Sequence, residues 1–528
     1  MPKVNVPLFV KNMGHRIVSY ILNISEEDAV NVLNSNLELK EDKAQILQQF
    51  IKICRQLRMQ GIDQGDVDFA VFHSLPNIFV SDKHIFNVWH EQMGGTVNVY
   101  KSNDLIVQII NRVASKLYPL FLIKVTNKPS FYNKMHHNIS STIYQLPEYK
   151  ELCEELMKDD VISSVFDQIG TNECETWGSY TTSTGHGGGV QLATLPATLV
   201  VNSFELMRMR GQLSLKAFSN AAESTVDTIR RCISGDVVNV PVFLGFNNIS
   251  LDDVGEIKTE WGTLRPVSEG ISELAPNNTS ITNIDGKQYK LGFVLESEYP
   301  YQINFGDDGK KNIWPKELDS ARNRLSEITE NVSLCFSLAC DRTPPVGMSL
   351  AWTMIFDPIS QGTNLSWISE PRSPVNFHIL ADSEGIIDWC KNLKEVEDTT
   401  IRLAIRRILS AINQRQDPID GFVDTIIAWE NLFGGNAELS FRISVSIAKL
   451  LGETDEQRNN LQKFVNEHYN IRSKLVHGVK ELTHEQAVDC RDRCLDIALK
   501  AVRKLYLERV ELIEDMNSTN RSKILALS

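Results

Sequence analysis

Apolar residues recur at helical spacing through residues 399–511 and predict a bundle of about five helices. On the first clear helix the apolar positions that share one face are Phe422, Ile426, Trp429 and Phe433. Gly434 and Gly435 follow, and we expect them to end this helix because glycine tolerates left-handed backbone geometry. A second helix is predicted from about residue 436 to Gly452, with inward positions at Leu439, Ile443, Ile447 and Leu450.

The third predicted helix, roughly 456–476, carries a cation on its apolar side. One line along this helix contains Val465, Tyr469, Arg472 and Val476. An unpaired guanidinium among apolar side chains is costly, so we expect Arg472 to meet an anionic group.

The fourth predicted helix opens with Thr483 and Gln486 in the spacing of a capping box. Its apolar side is wide. One row contains Val488, Leu495, Ala498, Val502 and Leu505, and a second row beside it contains Cys490, Cys494, Ile497 and Ala501. We expect so broad a face to be covered by the rest of the bundle and by a second subunit.

The first 380 residues mix two periodicities, which predicts an α+β fold. Helical spacing marks residues 26–60, 147–167 and 216–234. Runs rich in Val, Ile, Leu and aromatic residues predict strands at 190–201, 237–246, 288–296 and 348–356. We therefore predict a multidomain protein. An α+β region at 1–380, which could divide into subdomains at about 1–170 and 171–380, precedes an all-α domain at 381–528.

Charge is divided unevenly between these regions. The chain of 528 residues has a formal charge of −13. Residues 401–528 contain 19 Lys and Arg against 18 Asp and Glu, so the remaining 35 and 49 fall in residues 1–400. Phosphate contacts dominate general RNA affinity, and an acidic region is therefore a poor RNA-binding surface. We expect the N-terminal region to sense a protein or small ligand, or to restrain the C-terminal domain.

The sequence predicts a cytoplasmic protein without disulfides. No stretch of 18 uncharged apolar residues occurs, and the first 20 residues are interrupted by Lys3, Lys11, His15 and Arg16. These patterns predict neither a membrane span nor a signal peptide. The nine cysteines lack paired spacing, which suits a reducing compartment.

The motif best suited to catalysis lies at the end of the third predicted helix. There Arg472 is followed by Ser473, Lys474 and, five positions after the arginine, His477. An arginine and a histidine at one gap are common by chance, so the helical context has to support the interpretation. Nearly the same spacing separates Arg372 and His378, but Pro374 is incompatible with a helix interior.

In that context the segment resembles a known family. The runs that carry the resemblance are Asp420 to Gly435, Glu438 to Arg442 and Ile471 to Gly478, and together they are similar to the Apea-like branch of the HEPN superfamily. The resemblance implies a helical bundle that dimerises and cleaves RNA without a metal ion or other cofactor, typically in defence or toxin systems. It implies that the active site contains Arg472 and His477, with Ser473 between them at a position that is often more strongly polar in related motifs. We expect Ser473, Lys474 and Glu430 to be supporting residues.

These residue types suit RNA cleavage independently of the family. The 2′-hydroxyl of RNA is an internal nucleophile, so a protein needs only to move protons, as imidazole can, and to stabilise charge, as guanidinium can. Five residues of helix turn a side chain by roughly 140°, so one regular helix cannot easily direct both groups at one phosphate. Gly478 could let the last turn unwind, or a two-fold axis could bring Arg472 and His477 of two chains into one cleft. We favour the two-fold axis.

Each candidate also has a structural interpretation. Arg472 could pair with Glu430 or Glu438, and His477 could cap carbonyl groups at the helix C-terminus. A polar network inside the bundle is the simpler interpretation of Glu430, Glu438 and Arg442.

Two other motifs are weaker. Cys490 and Cys494, with His484 upstream, approach metal-ligand spacing, but no fourth ligand is evident and cysteines on an apolar face are usually buried. We expect no metal site there. The run Thr184 to Gly189 is rich in glycine but lacks the Lys-Ser/Thr ending of a phosphate-binding loop, so we expect a mobile loop.

The sequence thus predicts a metal-independent endoribonuclease of antiviral (antiphage) defence or abortive infection. An N-terminal sensor, triggered by a phage protein or a small molecule, would restrain a C-terminal HEPN dimer or higher oligomer that cleaves tRNA or mRNA, and no membrane partner is expected. The alternative is a non-catalytic HEPN module that binds nucleotide or RNA or is the immunity partner of a toxin. The presence of both Arg472 and His477 weighs against this alternative.

Overall fold

The computed structural model describes residues 4–62, 71, 73–124, 139–267, 280–306, 314–348, 350–360, 363–367, 376–396, 400–435, 438–479, 481–514 and 516–527. The first layer is helical. It contains α1 (Leu8–Asn12), α2 (His15–Leu22), α3 (Glu26–Leu33), α4 (Glu41–Ile62), α5 (Ile85–Gln92), α6 (Leu105–Leu117), α7 (Pro147–Lys158) and α8 (Asp160–Ser163), two 3-10 turns at Leu75–Asn77 and Tyr118–Leu122, and a hairpin of β1 (Phe79–Val80) and β2 (Lys83–His84).

Two predicted helices in this layer are each interrupted. The helix predicted at 26–60 is α3 and α4, because Ser35 has a φ of 61° in the left-handed region and the chain resumes the helix only at Glu41. The helix predicted at 147–167 stops at Lys158, because Asp159 is extended and its side chain accepts the N–H groups of the next turn, α8.

The second layer is a mixed sheet covered by helices. Its elements are β3 (Trp177–Thr182), β4 (Gly187–Gln191), α9 (Leu195–Met209), α10 (Leu215–Ile233), β5 (Val238–Asn247), β6 (Ile249–Ser250), β7 (Ile257–Thr259), β8 (Gly262–Pro266), β9 (Ser280–Ile284), β10 (Lys287–Tyr301), β11 (Ile303–Phe305), α11 (Glu317–Ala339), β12 (Leu350–Phe356), β13 (Thr363–Trp367) and β14 (His378–Ile379). Among the described strands, nine form one sheet with the path β13-β12-β5-β10-β6-β14, while β11, β3 and β4 form another.

The centre of the large sheet is the antiparallel pair β5 and β10, in register from Val238 opposite Tyr301 to Asn247 opposite Gly292. Phe246 on β5 stacks on Phe293 of β10 with ring centroids 5.0 Å apart, and Phe336 of α11 packs 4.9 Å from Phe293. Helix α11 is thereby attached to the sheet by aromatic contacts.

Most of the second layer agrees with the sequence-based prediction. The strands predicted at 237–246, 288–296 and 348–356 are confirmed as β5, β10 and β12, and the helix predicted at 216–234 is confirmed as α10. The strand predicted at 190–201 is wrong beyond Gln191, because Leu195–Met209 is a helix. Every residue of α9 is buried, so its sequence lacks the polar face that distinguishes a helix from a buried strand.

The glycine-rich run also differs from its prediction. Gly187, Gly188 and Gly189 are not a loop but part of β4, paired with β3. A side chain on Gly188 would approach the hydroxyl of Tyr180 at 3.2 Å, so glycine leaves room for this ring across the hairpin.

The third layer is the predicted helical bundle. It contains α12 (Glu384–Glu395), α13 (Arg402–Asn413), α14 (Pro418–Phe433), α15 (Leu439–Leu451), α16 (Asp455–Val476), α17 (His484–Glu508), α18 (Glu511–Glu514) and α19 (Ser518–Leu527). The predicted core positions of α14 are confirmed, since no surface remains exposed on Phe422, Ile426, Trp429 and Phe433. The capping box of Thr483 and Gln486 at the start of α17 is confirmed as well.

Glycine ends α14 for a different reason from the one expected. Gly434 has a φ of −74°, outside the left-handed region. A side chain there would lie 2.4 Å from the carbonyl oxygen of Glu430, so a close approach excludes every larger residue.

The wide apolar face of α17 is covered inside the same chain. The main cover comes from α14, with further contacts from α11, α12, α13 and α15. Tyr506 meets the ring of Trp389 on α12 with centroids 6.2 Å apart. The width of this face therefore gives no support for a second subunit. Helix α12, which the predicted boundary at 380/381 assigns to the C-terminal domain, also packs on α11, where Cys390 lies 3.4 Å from Cys335.

One described segment, Leu105–Leu122, is long and apolar enough to span a membrane. It comprises α6 and the 3-10 turn that follows, and 78% of it is buried inside the protein. This degree of burial is typical of a helix in the hydrophobic core of a folded domain. Arg372 and Pro374 of the second Arg-to-His spacing lie outside the described residues, and its histidine, His378, lies in strand β14.

Candidate active site at the end of helix α16

Helix α16 presents the candidate residues and has well-defined ends. It begins at a capping box in which Thr454 accepts the N–H of Gln457 and the side chain of Gln457 accepts the N–H of Thr454. Ser440 of α15 contacts Asn466 in the middle of α16 at 2.8 Å. The last ten residues of α16, or about 15 Å of helix, therefore extend beyond the start of α15.

The C-terminal end of α16 is closed by glycine. Gly478 has a φ of 69°, and its N–H donates to the carbonyl of Leu475 at 3.0 Å. The N–H of Val479 donates to the carbonyl of Lys474 at 2.8 Å. This pair of hydrogen bonds is a Schellman motif, which requires a left-handed residue at the position of Gly478. The helix is therefore regular up to Val476 and does not unwind before His477.

Arg472 lies on the side of α16 that faces α14. Its side chain is 22% exposed, and Nη2 lies 3.7 Å from Oε2 of Glu430. The other oxygen of Glu430 accepts a hydrogen bond of 3.0 Å from the hydroxyl of Tyr469. The anionic group predicted to meet Arg472 is thus Glu430 rather than Glu438.

The guanidinium of Arg472 is incompletely satisfied. Its Nε is buried without a hydrogen-bond partner in the described part of the chain. The distance of 3.7 Å to Glu430 exceeds a good hydrogen bond, so this pair is mainly an electrostatic contact. A buried donor without an acceptor is uncommon in folded proteins, and a catalytic role is one explanation for it.

Tyr469 is a site residue that the sequence pattern did not identify. The helical periodicity placed it with the apolar residues, whereas its hydroxyl binds Glu430. Burial raises the pKa of Tyr469 above its ordinary value, and the carboxylate of Glu430 raises it further. The hydroxyl therefore remains a proton donor to Glu430 near neutral pH. Its position three residues before Arg472, on the same helix face, was the available signal.

His477 is exposed at the position that caps α16. Its backbone N–H donates to the carbonyl of Ser473 at 3.1 Å. The structure shows no hydrogen bond or ion pair of its imidazole within the described ranges, so the ring is open to a ligand. The interpretation of His477 as a side-chain cap of helix carbonyls has no such contact to support it.

A single chain does not direct Arg472 and His477 to the same point. Because α16 is regular between them, their side chains diverge by roughly 140°, and their Cα atoms differ by about 7.5 Å along the axis. Ser473 is half-buried and Lys474 is exposed, so Lys474 adds a positive charge beside the exposed end of the motif.

Exposed apolar residues lie at the end of α16 and, separately, at the start of α15. Val476 is 56% exposed and Val479 is 74% exposed, while Phe441 and Leu439 at the start of α15 are 56% and 38% exposed. The prediction of Leu439 as an inward position is therefore wrong. The apolar line of α16 is not buried at Val476, because the end of α16 extends beyond the helix that would cover it.

The polar network predicted for Glu430, Glu438 and Arg442 is not formed. Nη1 of Arg442 approaches Ser522 of α19 at 3.5 Å, and Glu438 is the left-handed residue before α15. No contact in the described ranges joins either residue to Glu430.

The cysteine pair of α17 belongs to the interior. Cys490 is 7% exposed and Cys494 has no exposed surface, which confirms the expectation of burial. Burial raises the pKa of the Cys494 thiol well above its ordinary value. Within the described ranges, no three side chains of His, Cys, Asp or Glu are grouped as metal ligands.

Comparison with known proteins gives no relative for this arrangement: no protein-family model, curated protein or solved structure matches the chain significantly.

Proposed function

We propose that the C-terminal bundle is an HEPN-type endoribonuclease that cleaves RNA without a metal ion. The observation that supports this proposal most strongly is the incompletely satisfied guanidinium of Arg472, five positions before an exposed His477 that a Schellman motif holds at the helix end. Arg472 offers charge and hydrogen-bond donors to a phosphate, and His477 offers an imidazole that can accept or donate a proton.

The proposed reaction uses the 2′-hydroxyl of the substrate as nucleophile. His477 removes the proton of this hydroxyl, the 2′-oxygen bonds to phosphorus, and the bond from phosphorus to the 5′-oxygen breaks. Arg472 stabilises the additional negative charge on the phosphoryl oxygens. The 5′-oxygen leaves with a proton from a second imidazole or from water. The products are a 2′,3′-cyclic phosphate and a 5′-hydroxyl.

A symmetric dimer is the arrangement that resolves the divergence of the two side chains. In such a dimer, Arg472 of one chain and His477 of another share a cleft. The exposed apolar residues near this cleft, Val476 and Val479, are suited to an interface between copies. This location replaces the face of α17, which the chain itself covers.

The biological setting belongs to the same proposal. The protein would act in the cytoplasm in antiphage defence or abortive infection, on tRNA or mRNA, with a trigger that is a phage protein or a small molecule. Residues 1–380 would restrain the nuclease, because their acidic balance is unfavourable for RNA binding and an unrestrained ribonuclease would harm its own cell.

A non-catalytic HEPN module is the second candidate, and the contact between Arg472 and Glu430 is the observation that favours it. A glutamate at 3.7 Å already provides Arg472 with a counter-charge, as in a structural ion pair. In that case the protein would bind RNA or nucleotide, or a toxin, without cleaving RNA.

Two substitutions separate these candidates. For the nuclease, His477→Ala and Arg472→Ala each reduce RNA cleavage by at least about a thousandfold while circular dichroism and melting temperature remain those of the parent. Lys449→Ala, on the neighbouring helix α15, is the control and keeps full activity. Parent protein that binds RNA but yields no fragments would support the non-catalytic module instead.

A further inference from the structure

A cavity of about 270 Å³ lies where the sheet edge meets the ends of two helices. The lining has three parts: the C-terminal end of α11 from Ala339 to Arg342, strand β14 with the turn that follows it from His378 to Asp382, and the first turn of α12 at Gly385 and Ile386. Its volume exceeds that of a cavity that holds benzene and lies just below the range of drug-sized pockets, so it suits a small ligand.

The polar side chains of the lining present donors. Arg342 donates from Nη1 to the carbonyl of Phe377 at 3.2 Å, and its other N–H groups have no partner within the described ranges. His378 is half-buried on the same wall. Burial lowers the pKa of His378, and the positive charge of Arg342 lowers it further.

The lining also contains two carboxylates, of which one is paired with a cation. Asp341 pairs with Arg503 of α17 at 2.8 Å, and Asp382 accepts the N–H of Glu384 at 3.2 Å. The other lining residues are mostly apolar: Ala339, Ile379, Leu380, Ala381 and Ile386. The cavity therefore combines donors from Arg342 and His378 with an apolar wall.

We propose that this cavity binds a small organic anion, with its phosphate or carboxylate against Arg342 and His378 and its apolar part against Ile379, Leu380 and Ile386. Guanidinium forms paired hydrogen bonds with either anionic group. The apolar wall distinguishes this ligand from a free inorganic ion, which would leave the wall unfilled.

The cavity borders the contact between the N-terminal region and the bundle. Arg503 pairs with Asp341, and the same guanidinium donates to the carbonyls of Leu338 and Ser337 at 2.8 and 3.1 Å. An anion beside Asp341 repels this carboxylate and competes with it for cations. Binding would therefore alter the attachment of α17 to α11. This coupling relies on the proposed function, whereas the binding site does not.

Calorimetric titration of the full-length protein with phenyl phosphate, benzoate and orthophosphate tests the site at constant ionic strength. Benzyl alcohol, which has the ring without the charge, is the fourth ligand. The proposal expects saturable binding of phenyl phosphate or benzoate, at least tenfold tighter than orthophosphate and benzyl alcohol. The tighter-binding ligand of these two, phenyl phosphate or benzoate, shows whether the site prefers a phosphate or a carboxylate. Equal binding of all four, or saturable binding of none, would overturn it.

Two variants locate the binding. Arg342→Gln should weaken it at least tenfold, whereas Arg324→Gln, an exposed arginine of α11 that is outside the cavity lining, should leave it unchanged. Gly385→Leu should block the site from the opposite wall, because a Cβ at Gly385 has only an ordinary contact of 3.7 Å with Ala339 and the larger side chain extends into the cavity. Unchanged binding in both cavity variants would place the ligand elsewhere and refute the proposal. None of these measurements depends on RNA cleavage.

Discussion

Glu430 lies between two side chains of α16 and binds only one of them at hydrogen-bond distance. Its Oε1 accepts the hydroxyl proton of Tyr469 at 3.0 Å, while its Oε2 lies 3.7 Å from Nη2 of Arg472. The carboxylate is thus fixed by Tyr469 and attracts Arg472 without a good hydrogen bond to it. In the proposed mechanism, an RNA phosphate would therefore bind Arg472 without first disrupting a tight ion pair.

Glu430→Gln should lower the rate of RNA cleavage by no more than about tenfold, because a positioning carboxylate affects Arg472 without moving a proton. Steady-state kinetics over a range of pH measures the effect. Glu438→Gln, at the start of α15, is the control and should match the parent. A loss of a thousandfold in Glu430→Gln, with the acidic limb of the pH profile removed, would instead identify Glu430 as the general base.

Val476→Glu should convert the protein from a dimer to a monomer and reduce cleavage, because it places a charge on the exposed apolar surface at the end of α16, beside the proposed cleft. Leu403→Glu is a matched control, since Leu403 is 55% exposed on α13. Sedimentation velocity at micromolar concentration measures the assembly. Parent protein that is monomeric and fully active would refute the shared cleft. Activity regained on mixing Arg472→Ala with His477→Ala would support it.

Arg503→Gln should raise RNA cleavage in the absence of a trigger, because it removes the ion pair with Asp341 and the donors to Ser337 and Leu338 that attach α17 to α11. A full-length variant is preferable to a truncated bundle, which would expose the face of α17 that α11 and α12 cover. Lys504→Gln is the control, since Lys504 pairs within its own helix with Glu508. A rate equal to that of the parent would contradict restraint through this contact.

The N-terminal layer should lose stability in mild acid because of His84. Burial lowers the pKa of His84 to about 4. The folded state therefore favours the neutral ring, which contributes to the free energy of unfolding. This contribution is complete above the unfolded-state pKa near 6.5 and is lost as the pH falls towards 4. The loss should reach about 3 kcal/mol.

His84→Asn should remove this pH dependence, because asparagine does not titrate yet can accept the N–H of Phe86 as the imidazole does. Urea unfolding at pH 7 and pH 4.5 measures both proteins. An equal loss of stability in parent and variant would show that other groups cause the acid sensitivity.

The sequence predicted the bundle well because its helices are amphipathic and capped. The apolar positions of α14, the capping box of α17 and the end of α16 near residue 476 all follow from local patterns. The all-buried helix α9 was mistaken for a strand, since burial on every side removes the periodic signal. The interruption of α3 and α4 at Ser35 has no such signal either.

The candidate site was predictable in composition but not in arrangement. Arg472 and His477 were identifiable as residue types at one spacing, and the need for an anionic partner followed from the apolar surroundings of Arg472. The choice of Glu430 as that partner, and the hydroxyl contact of Tyr469, depend on how α14 crosses α16. Which helices cover α17 likewise depends on long-range packing, and the periodicity of one helix gives no information about it.

The most direct test of the central claim is the chemistry of the RNA ends. Purified protein is incubated with a defined RNA in excess chelator, beside the same RNA with a 2′-O-methyl group at the cleaved position. The account predicts cleavage of the unmodified RNA alone, with a 2′,3′-cyclic phosphate and a 5′-hydroxyl, and no cleavage by His477→Ala. Cleavage of the methylated RNA, products with a 5′-phosphate, or full activity of His477→Ala would contradict it.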